Sequence, residues 1–431
     1  MGAKTRKLSQ INDSLIEWQS VVVADGSTGL TAVAGRGYFI NTTGGAITVT
    51  FPASPKIGDT IIINDYASTF ATNNVTINFN GNKLEADTGN ATLSTNDQTH
   101  TFVFTDATQG WKIVNQDTGS TIQPTFISAT GGTLLTSGDF KTHVFTGDGC
   151  FVVSSVGNSI GSNSVEYLVV AGGGGGGGGN CNSQGDGGGG GAGGFRQNYP
   201  SPTSAGLPVA AQTYPITVGS GGAGSANACS KGALGNNSIF STITSAGGGG
   251  GGSRNTEVQL GSSGGSGGGG GQADPGNPYY PAPNINGGAG NTPPVSPPQG
   301  NSGGTGSLTV PGTGGGGGGG GAATSGGNSP GSTVGGLGGV GSPVATTVFG
   351  PTSPSYGTPG PAPGRYFAGG GGGAGNAPST GGTGGSGGGG QGGVSVSQTS
   401  GTANTGGGGG GGGTPAGSGG SGIVVIRYKF Q

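Results

Sequence analysis

Apolar and polar positions follow three successive patterns along the chain. Leu8, Ile11, Leu15 and Trp18 recur at spacings of three, four and three, the stripe of an amphipathic helix. The stripe is about two heptads long, too short for an independent coiled coil. It reads either as an oligomerisation and attachment segment over residues 1–18 or as a lead-in helix packed on the next domain. From residue 19 to 118 the period shortens to two. "RGYFIN", "AITVTF", "DTIIIND", "NVTINF", "HTFVFT" and "GWKIVN" are short, rich in β-branched and aromatic residues, and separated by Gly and Asn breaks. This spacing predicts an all-β, sandwich-like domain.

Residues 119–170 form a second β segment, the base of a C-terminal tip domain. In "THVFTGDGCFVV", Asp148–Gly149 between two strand-like runs predicts a tight hairpin. "VEYLVV" then leads directly into Gly172–Gly179, eight consecutive glycines. After that point apolar residues come only in isolated strands, among them "YPITVGSGG", "SIFSTITSAGG" and a final "GIVVIRYKF". Pairing "VEYLVV" with "GIVVIRYKF" would bury two apolar strands, so the chain is expected to enter and leave residues 171–431 at one base.

Composition sharpens the division. Of the 114 glycines in 431 residues, 19 precede Ala171, and only nine of the thirty charged residues follow Val170. A formal net charge of −2 supplies no repulsion to hold the chain extended and no basic patch for nucleic acid. No apolar run is long enough to insert in a membrane, and the basic start leads into no apolar signal segment. Cys150, Cys181 and Cys229 lack metal-site spacing; Cys181 and Cys229 could pair, or all three could be small packed residues.

The glycine runs pose a thermodynamic question. Ordering eight residues costs on the order of 8–16 kcal/mol of backbone entropy, and glycine has no side chain to bury. Backbone hydrogen bonds, at about 0.5–1.5 kcal/mol net each, must offset this. An isolated run stays a flexible linker. Runs in the polyproline II conformation can instead pack side by side, each bonding several neighbours, as in polyglycine II. Any inner Cβ would block that approach. The recurrence of eight-residue runs at Gly172–Gly179, Gly314–Gly321 and Gly406–Gly413 favours a packed polyglycine II array framed by short strands.

Several connections between runs carry aromatics beside prolines: "FRQNYPSPTSAGLPVAAQTYP", "QADPGNPYYPAPNINGG" and "TTVFGPTSPSYGTPGPAPGRYFAGG". Proline stiffens a loop, and Tyr offers a flat apolar face with a polar tip. Tyr279, Tyr280, Phe349, Tyr356, Tyr366 and Phe367 are therefore candidate receptor-binding residues on loops projecting from the far end. The competing expectation is small satellite cores over the glycine layers. No enzyme chemistry is expected: His100 and His143 lie in no nucleophile motif, carboxylates are sparse after Val170, and no cofactor or metal site is indicated.

Two stretches resemble known families. "GYFINTTGGAITVTFPASPKIGDTIIINDY", with "NVTINFNGNKL" and the closing "GWKIV", resembles a β domain of tail-fibre and other virion proteins of tailed phages, marine cyanophages included. "SVEYLVVAGGGGGGGG" through "GGSGIVVIRY" resembles the glycine-rich domain of phage tail fibres. The latter is similar in plan to the tip adhesins of T-even-like phages, although this chain carries β domains of its own ahead of it. The resemblance implies a trimeric virion protein, assembled in the bacterial cytoplasm. Its N-terminal part would contact other virion proteins and its glycine-rich loops a host-surface receptor. A head or tail decoration protein, or less readily a polysaccharide-degrading enzyme, is the alternative.

Overall fold

The computed structural model describes residues 16–114, 120–122, 124–158, 161–179, 186–199, 206–227, 230–254, 259–273, 285–308, 314–331, 333–376, 379–393 and 397–431. The chain divides into two compact units. One comprises Met1–Phe126 with Gly157–Asn163, the other Ile127–Val156 with Ser164–Gln431. Most of the second β segment thus belongs with the glycine-rich chain.

The first unit is two sheets around one core. In one sheet Arg36–Asn41, Thr60–Asp65, Thr99–Asp106 and Gly110–Ile113 are successive neighbours. The other runs Ser120–Ile122, Ala91–Leu93, Val75–Asn78, Ile47–Thr50, Leu30–Thr31. Period-two alternation sends Ile61 and Ile63, Val75 and Ile77, Phe102 and Phe104 inward, where they meet Phe51 and Trp111. Phe51 contacts the Phe79, Phe102 and Trp111 rings edge-on at 4.9–5.3 Å. Many neighbours are parallel, because links such as "FPASPKIGD" carry the chain from one sheet to the other instead of turning back within one.

The helical stripe is corrected at its last position. Leu8, Ile11 and Leu15 lie outside the described residues, but Glu17–Trp18 is a strand paired in parallel with Arg36–Asn41. The Glu17 and Gln19 N–H groups donate to the Gly35 and Gly37 carbonyls at 2.9 Å, satisfying backbone groups that a helix would have paired internally. The Trp18 indole stacks on Phe39 at 4.4 Å and covers Gly37, where a Cβ would meet it at 2.7 Å.

The second unit begins with a sandwich. Ser164–Val170 and Ile423–Lys429 pair antiparallel, from Glu166 opposite Arg427 to Val170 opposite Ile423, as the two apolar ends of the glycine-rich region predicted. Thr133–Ser137, Phe140–Phe145, Phe195–Gln197 and the short Leu207–Pro208 complete their sheet. The facing sheet contains Ser128–Thr130, Gly149–Ser155, Thr213–Thr217, Ser238–Phe240 and Ile243–Ser245. The expected Asp148–Gly149 hairpin does not form: Phe140–Phe145 already has Thr133–Ser137 on one edge and Ile423–Lys429 on the other, so Gly149–Ser155 crosses to the opposite sheet. Asp148 accepts the Val218 N–H at 2.8 Å at that corner.

Beyond the sandwich the glycine runs are neither α-helix nor β-strand, and their backbone bonds recur every third residue. Gly172, Gly175 and Gly178 donate to Asn236, Ala233 and Ser230; Gly173 and Gly176 donate to Gly420 and Gly417; Gly174 and Gly177 donate to Gly191 and Gly188. The same run accepts from three further runs, at Gly248 and Gly251, Gly222 and Ser225, and Gly409 and Gly412. It therefore has six neighbouring runs. Run 187–194 donates to runs at 246–252, 317–320 and 406–409, and accepts from 174–177, 266–269 and 371–374. Side chains would destroy this contact: a Cβ on Gly176 would sit 2.1 Å from the Gly410 carbonyl oxygen.

Candidate functional site at the distal end of the glycine runs

Because successive runs reverse direction, connections alternate between two ends. One end joins the sheets: Ala171 donates to Gly194, Gly194 to Ala246, and Gly422 to Gly219. The other, distal end is marked by Gly178 donating to Ser230, Gly188 to Gly252 and Ser307 to Gly315. This alternation decides where the proline-tyrosine connections fall. Ala273 and Ile285 stand at the distal end, whereas the connections after Gly194 and after Gly341 lie at the sheet end.

Four of the six candidate binding residues are consequently elsewhere than expected. Phe349 is 1% exposed, Tyr366 4% and Phe367 0%, and Tyr356 is half-buried. Phe349 stacks on Tyr356 at 4.9 Å and approaches Phe367 at 5.9 Å. Arg365 pins the connection from within, donating to the Tyr356, Pro354 and Gly357 carbonyls at 2.6–3.1 Å. The reason lies in the two apolar strands. Val165, Val169, Val424 and Ile426 face the sandwich core, but Leu168, Val170, Ile423 and Val425 point the other way. A sheet apolar on both faces needs two covers. Val344, Val348, Phe349 and Phe367 form the second one, so this connection makes a small core, but against the sheet and not over the glycine layers where the competing expectation put it. Tyr279 and Tyr280 lie outside the described residues.

The distal end carries a buried polar knot. The Arg254 Nη1 donates to Asp186 Oδ2 at 2.9 Å, and the Gln272 amide nitrogen, turned toward the carboxylate, donates to Asp186 Oδ1 at 2.5 Å. Gln259 Nε2 donates to the Arg254 carbonyl at 3.2 Å. All four residues are buried. Burial pushes the Asp186 carboxyl up to about 6, outweighing the downward pull of Arg254. Side chains from four runs thus tie together the ends from which the distal connections depart. Both charges sit at run boundaries, in "GDGGGGG" and "GGSRN", and no local pattern marks them as partners.

The sequence also distinguishes peripheral from interior runs. Peripheral runs carry a side chain at every third position: Ser302 and Thr305, Val334, Leu337 and Val340, Thr380, Thr383 and Ser386, Ser418 and Ser421. These face outward, with Gly-Gly between them turned inward. Uninterrupted glycine marks an interior run; X-Gly-Gly marks an edge.

Remaining chemistry is sparse. Cys150 is an exposed free thiol, while Cys181 and Cys229 lie outside the described residues. His143 is buried against Tyr428, its Nδ1 2.6 Å from the Gly131 carbonyl and its Nε2 3.1 Å from the Tyr428 hydroxyl; burial lowers its pKa. Among the described residues no group of three His, Cys, Asp or Glu could hold a metal, and no helix is long and apolar enough to cross a membrane.

No curated protein matches the chain. The family described as "Glycine-rich domain" matches residues 146–429, which runs from just before Gly149–Ser155 to the end of Ile423–Lys429 and so takes in both paired strands and every glycine run between them. That span covers well over half of the chain, and the protein belongs to the glycine-rich domain family.

Proposed function

We propose that the glycine runs are polyglycine II helices packed as a hexagonal array, and that this array is a rigid pedestal in a non-enzymatic virion fibre protein. The observation that carries the reading is the period of three in the backbone bonds: one run donates along three directions and accepts along three others. A threefold helix with outward-pointing amides has that symmetry. In this reading the N-terminal part attaches to other virion proteins, the protein is a homotrimer assembled in the bacterial cytoplasm, and the distal connections meet a host-surface receptor. The knot of Asp186, Arg254, Gln272 and Gln259 supports it, since rigid anchors lower the entropy lost when a connection binds.

Phage carrying Tyr279→Ala with Tyr280→Ala are expected to assemble normally and adsorb more weakly, tenfold or more if avidity multiplies each contact. Incorporation of the protein is checked on the particle. Normal adsorption by that variant, and again after exchange of the whole connection between Ala273 and Ile285, would sink the adhesin reading. One observation favours a decoration or spike without receptor binding: Phe349 and Phe367 are spent on covering a sheet, and Tyr366 is buried as well. That alternative expects unchanged adsorption in both tests.

A further inference from the structure

Interior runs have their backbone groups taken up on all sides, but peripheral runs do not. Among the described residues the Leu337 and Thr383 N–H groups meet no backbone carbonyl. At these outward positions stand side chains, Leu337 being 58% exposed, Leu234 56% and Leu260 39%. The intervening glycines face inward with no room for a Cβ: one on Gly338 would come 2.0 Å from the Gly370 oxygen, one on Gly382 2.0 Å from the Gly336 oxygen. Each peripheral run is thus bare on the side that packs and clothed on the side that does not. The clothing is chemically mixed, Val-Leu-Val on 334–340 and Thr-Thr-Ser on 380–386. Packing of like with like does not explain it, and neither stripe carries a charge. What the stripes share is a Cβ at each place where a further run would approach.

We propose that these every-third-residue side chains close the edges of the array against a second copy of this chain, whose own peripheral runs would otherwise dock through the same backbone hydrogen bonds. The problem is that of a β-sheet edge, where unpaired N–H and C=O groups template further strands unless something blocks them. Here the block must recur every third residue because the run turns once in three. A stripe stripped to glycine offers a self-complementary face, as twofold association requires. The inference rests on the threefold-run reading. It also predicts a sign opposite to ordinary surface hydrophobicity: removing exposed Leu337 and half-buried Val334 and Val340 should raise association, not lower it.

The test uses the full chain carrying Val334→Gly, Leu337→Gly and Val340→Gly together, and separately Thr380→Gly, Thr383→Gly and Ser386→Gly. Sedimentation velocity over a hundredfold concentration range is compared with the unmodified protein. Amide exchange at 172–178 and 187–194 reports whether the array is folded. The expected result is concentration-dependent association at least tenfold stronger than in the unmodified protein, with exchange protection retained. A protected variant that sediments like the unmodified protein would overturn the proposal. So would loss of protection in both variants, since the side chains would then be needed for folding and not for closing an edge. Fast exchange in the unmodified protein would instead bring down the threefold-run reading, a separately visible failure.

Discussion

The two units solve the same problem with opposite materials. In the first, the interior is side chain: Phe51, Phe79, Phe102 and Trp111 interlock, and backbone groups are satisfied along strand edges. Beyond the sandwich of the second, the interior is backbone. Gly176 donates to Gly417 and accepts from Ser225, and the Gly410 carbonyl stands where its Cβ would be. Hydrophobic burial, which dominates folding elsewhere, has little to act on there. The lesson is that close packing with satisfied hydrogen bonds is the common requirement, and apolar side chains are one way to meet it.

That contrast can be broken most forcefully at an interior run. Gly176→Val places a branched side chain against the Gly410 oxygen, with Gly411 N only 2.9 Å from the Cβ. Backbone on all sides cannot yield, so the penalty should exceed the roughly 1–3 kcal/mol of ordinary overpacking. Loss of soluble folded protein, read by expression and amide exchange, is expected. A variant with unchanged exchange in 172–178 would mean the run is not packed as described. Next comes the reverse manipulation in the other unit. Phe51→Ala should cost about 3–5 kcal/mol, because its neighbours cannot collapse into the space left. The loss should appear in exchange of strand amides within residues 36–113 while 172–178 keeps its protection.

A smaller effect separates the two ends of the second unit. Asp186 has its pKa raised from 3.8 to about 6, chiefly by burial, so the folded state holds a proton that the unfolded state releases between those values. Its contribution is fully present below about pH 4 and is lost as pH rises through about 6, a change of at most about 3 kcal/mol. His143, buried at the sheet end, has a lowered pKa and the opposite sign: its contribution is present above its ordinary value and lost as pH falls. Protection of residues 186–190 should therefore rise between pH 7 and pH 4 relative to Asp186→Asn. An identical pH profile in the two proteins would contradict the assignment. Smallest of all is Ala223→Val, on the outward side of a peripheral run. It should stay within about 0.5 kcal/mol, as surface changes do. A thermal midpoint as low as that of an interior glycine variant would erase the distinction between inner and outer positions.

Local pattern carried much of this architecture. Alternation in "TIIIND" and "HTFVFT" specifies which residues face a core, because a strand has period two whatever its partners. The paired ends of the glycine region were legible for a related reason: "VEYLVV" and "GIVVIRYKF" are the longest apolar strands in chain otherwise short of apolar side chains. X-Gly-Gly against unbroken glycine distinguishes edge from interior, and this too lies in the chain, because the backbone bonds of the runs repeat every third residue.

What only the tertiary structure decided is direction and company. Phe349 and Phe367 lie in a stretch with the composition of a binding loop. They became a second cover because the run before them, 334–341, travels toward the sheets, where the outer face formed by Leu168, Val170, Ile423 and Val425 was still bare. Trp18 left its helical stripe for a similar reason, finding an open strand edge at Arg36–Asn41 and the face of Phe39. Asp186 and Arg254 lie 68 residues apart and meet only because two runs end side by side. Local sequence sets the period with which a segment shows its faces. Which end a connection reaches depends on how many runs precede it and how they stack, a sum over the whole chain that no local window contains.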